Sequence, residues 1–187
     1  MRRVAVLLAL TCFLVALASA DEISGTTTGS FSSPSPNLTF TSGTFDVFTN
    51  SAGYAAIGNV PTGNNLGTFT LSTTPFTPGG TFTLTVTLLS PPSPTPSGSN
   101  STNYTALLSG AVEAGPSGGV TITFQNTSYT WLLVDGGMLT LNIAKDINIT
   151  PGGVDVPITG NIQTPEPASM FLLGTGVFGL GLFRRRK

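Results

Sequence analysis

The chain has 187 residues, seven of them Lys or Arg and eight Asp or Glu, with no His and a formal net charge of −1. Charged residues make up 8%, against roughly 25% in ordinary soluble domains, which excludes a coiled coil, a long amphipathic helix and a basic nucleic-acid binder. Without His and with one Cys, the inventory for His/Cys zinc sites, His general bases and Ser-His-Asp triads is missing.

The first predicted element is an export signal. Met1-Arg2-Arg3 precedes an apolar run from Val4 to Leu17, and Ala18-Ser19-Ala20 follows before Asp21. A basic start, a short apolar helix and an A-x-A exit define a secretory signal peptide over 1–20, read by the secretion machinery and cut by signal peptidase. Ala18 and Ala20 fit the peptidase pockets, and Asp21 becomes the first mature residue. An uncleaved anchor fits less well, because the apolar core is short. Cys12 lies inside this helix, so cleavage leaves a chain with no thiol and no disulfide.

Residues 21–163 carry seven acids and one cation, Lys145, for a net charge of −6. That balance favours solubility and argues against nucleic acid as a partner. The whole chain holds 30 Thr, a β-branched residue suited to half-buried pleated surfaces. Period-two alternation begins at Leu66–Ser72 and is clearest at Thr81–Leu88, where four apolar residues alternate with four Thr. A Pro/Ser-rich run at 91–99 breaks the pattern as an exposed loop inside one domain. Alternation returns at Val120–Phe124 and at Leu139–Ile143, and Val154, Val156 and Ile158 continue it. Asp135-Gly136-Gly137 predicts a tight hairpin joining Tyr129–Val134 to Met138–Ile143. No 3.6-residue stripe competes. The expectation is an all-β, antiparallel β-sandwich of seven to ten short strands in two sheets, between the signal-peptide helix and a short C-terminal transmembrane helix.

Candidate chemistry in this body is sparse. Asp135, Asp146 and Asp155 occur close together, but Asp135 sits beside a Gly-Gly turn and the others take outward strand phases. Solvation accounts for them better than a glycosidase pair does. No D-x-[DN]-x-[DN]-G calcium loop is present. The expectation is therefore no enzyme, no cofactor and no metal. Tyr54, Tyr104, Tyr129 and Trp131 are the candidate glycan contacts of a carbohydrate-binding module, although a lone Trp more often serves as packing mass.

The last predicted element is a tail. Pro165-Glu166-Pro167 leads into an uncharged apolar stretch, Ala168–Phe183, and the chain then reads Arg184-Arg185-Arg186-Lys187. Sixteen residues at ~1.5 Å each fall a few ångströms short of a ~30 Å hydrocarbon core. Snorkelling Arg side chains and local bilayer thinning close that gap, so the helix spans. The four cations hold the chain end in the cytoplasm. Gly174–Gly179 also spells G-x-G-x-x-G, but with no preceding strand and no downstream acid it is not a dinucleotide site.

Residues 164–187 resemble the PEP-CTERM sorting signal of Gram-negative bacteria: the Pro-Glu-Pro motif, the apolar helix and the basic tail stand in that order at the C-terminus. The resemblance implies recognition by an exosortase, a membrane-embedded cysteine protease that releases or transfers the protein. Each proline fixes φ and removes a helix donor, which keeps the motif extended outside the bilayer. The implied protein is a non-enzymatic, exported surface or extracellular-matrix protein, associated with exopolysaccharide and membrane-anchored before processing. The alternative is a carbohydrate-binding module or adhesin held by a permanent C-terminal membrane anchor.

Overall fold

Alternation of Thr with Phe, Leu and Val has one low-energy outcome, a strand with one dry and one wet face, and the body of this chain is built from such strands. The computed structural model describes residues 21–58, 64–91, 99–114, 117–133 and 137–164. The expected signal-peptide helix, the interior of the Pro/Ser-rich loop and the C-terminal helix lie outside them. The first six strands are β1 (Glu22–Phe31), β2 (Leu38–Thr41), β3 (Thr44–Phe48), β4 (Tyr54–Ile57), β5 (Thr68–Leu71) and β6 (Thr81–Ser90). The next four are β7 (Ser101–Glu113), β8 (Ser117–Phe124), β9 (Ser128–Leu132) and β10 (Met138–Ile143), followed by β11 (Asp146–Ile149), β12 (Val156–Pro157) and β13 (Gly160–Gln163). The described residues are all-β and every pairing is antiparallel.

Hydrogen bonding divides these strands into three sheets: β11-β8-β7-β6-β1-β3, β4-β13-β10-β9 and β12-β5-β2. Both smaller sheets pack on the same face of the six-stranded one. In β6, Phe82, Leu84, Val86 and Leu88 are all fully buried. Across the β6–β7 ladder, Phe82 faces Ala106 and Leu84 faces Tyr104, so these side chains share one dry face. Onto it the three-stranded sheet delivers Phe40 and Phe69, whose rings lie 5.0 and 4.9 Å from that of Phe82. The four-stranded sheet meets the same face at Tyr104, whose hydroxyl donates to the Leu141 carbonyl at 3.2 Å. One continuous apolar core results, from Ile23 to Ile162. A chain without disulfides has this burial as its main source of stability.

Two details explain how the sheets approach so closely. A Cβ at Gly29 in β1 would strike the rings of Phe40 and Phe82, so glycine there makes room for the aromatic cluster. Thr27, also in β1 and buried, accepts from the Gly43 amide at 2.9 Å and donates to the Leu66 carbonyl at 3.1 Å. That satisfies groups of two loops which would otherwise be dry and unpaired.

Several expectations need correction. Among the described residues thirteen strands form rather than seven to ten, and three sheets rather than two. The extra strands are short or diluted with Gly and Ser, which blurs their alternation. Of the expected run through Val154, Val156 and Ile158, Val156 pairs with β5 and Ile158 is buried with its amide on the Gly67 carbonyl at 2.8 Å, but Val154 is 87% exposed. Pro157 has no amide to extend the ladder. The predicted hairpin is present as β9 and β10, in register from Met138↔Leu132 to Asn142↔Ser128. β6 and β7, which flank the Pro-rich run, pair directly over seven residues.

Candidate functional site

The wet faces are where this body meets its surroundings, and the two larger sheets differ sharply there. On the six-stranded sheet the outward positions are mostly hydroxyls and amides that bond across strands. Thr85 Oγ1 donates to Asn103 Oδ1 at 2.8 Å, and Thr87 and Ser101 share a 2.7 Å bond. Thr121 donates to Asn148 Oδ1, and Thr123 to Asp146 Oδ1, both at 2.8 Å. Cross-strand pairs of this kind fix register and hold the hydroxyls in a regular array. Strands of this sheet also carry Glu22, Asp46, Glu113 and Asp146.

The four-stranded sheet presents a different outer face. Its register aligns Tyr54, Gln163, Thr140 and Thr130 in one row across β4, β13, β10 and β9. The neighbouring row is Ala56, Asn161, Asn142 and Ser128. Asn142 Nδ2 donates to Asn161 Oδ1 at 3.2 Å, and the Thr130 and Thr140 hydroxyls share a 2.8 Å bond. A shallow depression of about 280 Å³ opens here, lined in part by Tyr54, Ala56, Asn142 and Asn161. None of the four strands contains a charged residue. The Asn50 side chain accepts from the Tyr54 amide at 3.0 Å and so fixes the start of β4.

The four aromatic candidates, Tyr54, Tyr104, Tyr129 and Trp131, do not share one exposed face. Tyr104 is fully buried, and burial pushes its phenol well above the ordinary range, with Tyr129 nearby adding to the shift. Trp131 is 2% exposed and its indole Nε1 has no hydrogen-bond partner. Tyr129 packs edge-on against Trp131 at 4.8 Å, on the side of β9 opposite Thr130. Tyr54 stands on the outer face of the sheet, 41% exposed, and Tyr129, on the inward phase of the edge strand β9, is still 37% exposed. The reason is parity: Tyr129 and Trp131 share the strand phase that turns towards the core, and Tyr104 takes the inward phase of β7. The amides beside Tyr54 carried a partial sequence signal. Asn142 alternates within Leu139–Ile143, whereas Asn161 lies in a strand that no pattern announced.

The acids are dispersed. Asp146 bonds Thr123, Asp155 accepts from Thr70 at 2.6 Å, and Asp135 lies outside the described residues. Among the described residues no three His, Cys, Asp or Glu side chains gather as a metal site, and no helix is long and apolar enough to cross a membrane.

At the two ends the description stops beside the predicted processing signals. Ala18 and Ala20 lie outside it, but Asp21 is anchored: its amide donates to Thr49 Oγ1 and its carbonyl accepts from the Thr49 amide, both at 3.0 Å. At the other end Thr164 donates its amide to the Gly53 carbonyl at 2.8 Å. Pro165, Glu166, Pro167 and the Arg184–Lys187 cluster lie beyond it, outside the described residues.

No curated protein and no solved structure matches this chain. The family model of the PEP-CTERM protein-sorting motif does match, at residues 163–187, and bears out the resemblance read from the tail: the chain ends in a PEP-CTERM sorting motif, the mark of an exported protein handled by an exosortase.

Proposed function

We propose that this chain is a non-enzymatic surface or extracellular-matrix protein, exported by its N-terminal signal, released or transferred by an exosortase, and resident among exopolysaccharide. The observation that carries the reading is the sorting motif at 163–187, which begins where the last strand ends. β13 lies between β4 and β10, so the folded body reaches to within one residue of Pro165. The protease would thus meet its motif directly beside a folded sheet. The body suits a hydrated polymer: its two smaller sheets serve as the second layer of a sandwich, and its outward Thr, Ser and Asn side chains offer many hydroxyl and amide contacts. Dispersed acids and the missing His support a passive role.

The test is deletion of Pro165–Lys187 with mass spectrometry of the mature protein. The wild type should begin at Asp21, lack Arg184–Lys187 and sit in the surface or matrix fraction, and the deletion should change that location. Unchanged localisation of the deletion variant would remove the sorting claim. A surface species that keeps Arg184–Lys187 would replace it with a permanent anchor.

A further inference from the structure

We propose that the outer face of the four-stranded sheet binds an uncharged polysaccharide chain, with Tyr54 as the stacking platform and the Asn142–Asn161 pair reading adjacent hydroxyls. This rests on the reading of the chain as a resident of extracellular polysaccharide and names the surface and the polymer class.

Three observations converge on this face. The first is chemical complementarity. One hydrogen of Asn142 Nδ2 is used on Asn161 Oδ1, which leaves the amide oxygen of Asn142 and the amide nitrogen of Asn161 as an acceptor and a donor on paired positions of adjacent strands. An acceptor next to a donor is what a vicinal diol matches, because each sugar hydroxyl both gives and receives a hydrogen bond. Tyr54 stands beside them, and the axial C–H faces of a sugar ring pack on aromatic planes. The second observation is shape. The depression of about 280 Å³ is lined by Tyr54 and both amides and continues past them to Ala144, Thr159 and Gly160, and a four-strand row at ~4.8 Å spacing extends the platform to about 14 Å, room for consecutive residues of a chain rather than one sugar. The third is charge. β4, β13, β10 and β9 carry no ionisable acid or base besides tyrosine phenols, while acids stand on strands of the six-stranded sheet. A neutral polymer incurs no desolvation of ionised groups on these four strands.

The experiment uses the full-length chain in a zwitterionic, sugar-free detergent and measures its retention by microcrystalline cellulose, by an insoluble β-1,3-glucan and by alginate gel. Retention by at least one neutral polymer and not by alginate is expected. Tyr54→Ala and Asn161→Ala should each weaken it roughly tenfold, the loss of one stacking contact or one paired hydrogen bond. Leu107→Ala, an exposed position on β7, should leave it unchanged. Thermal melts of each variant check that the fold persists, and Tyr54→Phe, which keeps the ring, should bind as the wild type does. Three results overturn the proposal: no retention by either neutral polymer, equal retention of the wild type and both weakened variants, or a dimer that Tyr54→Ala dissociates in the absence of glycan. Localisation in cells is a separate readout, so a correctly sorted protein that fails to bind sinks this surface alone, and a protein that binds but is never sorted sinks the exosortase reading alone.

Discussion

Replacing Phe82 by Ala should cost more than any other single truncation in this body. Phe82 is fully buried and its ring meets four others: Phe31 at 5.0 Å, Phe40 at 5.0 Å, Phe69 at 4.9 Å and Phe124 at 6.5 Å. Two of those partners, Phe40 and Phe69, lie on the three-stranded sheet, so the ring joins layers as well as filling space. A buried Phe→Ala change costs about 3–5 kcal/mol from lost transfer energy and the cavity left behind. The rigid β backbone on both sides limits collapse into the void, which places Phe82→Ala near about 4–5 kcal/mol. Against a total stability of about 5–15 kcal/mol, that removes a large share. The assay is urea unfolding followed by the fluorescence of Trp131, which is 2% exposed and the only tryptophan. The midpoint should fall at constant slope, and the melting temperature by about 10–20 °C. Leu107→Ala, at a side chain 49% exposed, should shift stability by less than about 0.5 kcal/mol. A loss below about 2 kcal/mol for Phe82→Ala would refute the claim that this ring cluster holds the sheets together.

Three further outcomes follow from single contacts. The buried Tyr104 phenol stays neutral above its ordinary range, so the stability it contributes is whole below about pH 10, the unfolded value, and is lost as pH rises past it. Urea midpoints at about pH 8 and about pH 11 should therefore diverge more for the wild type than for Tyr104→Phe. Thr27→Val keeps the shape but strands the Gly43 amide and the Leu66 carbonyl, and should cost about 1–3 kcal/mol in the same titration. Gly53 has φ of 68° and faces the Thr164 carbonyl. Gly53→Ala should destabilise the tail exit by about 1–2 kcal/mol, read as faster amide exchange at Thr164.

Legibility in the sequence tracked the range of the physics involved. Thr81–Leu88 announced β6 because its alternation is a local property of eight residues, and Asp135-Gly136-Gly137 announced the β9–β10 hairpin because a tight turn is set by adjacent residues. β1 was silent: Ser24, Gly25, Gly29 and Ser30 dilute its pattern, and Gly29 is needed only because Phe40 and Phe82 arrive from two other strands. Tyr104 and Trp131 are buried for the same reason. Nothing local says that the odd phase of β9 faces the core while Tyr54, on β4, faces out.

The sequence alone carried the sorting motif at 163–187, because a Pro-Glu-Pro motif with its tail is a linear signal, legible without the fold. It also determined that the body is made of strands with one wet face. Only the tertiary structure decided which strands are neighbours. Asn142 and Asn161 lie 19 positions apart, and β13 brings them together with Tyr54 by inserting between β4 and β10. Register across non-consecutive strands is fixed by packing of the whole core, and no window of sequence contains it.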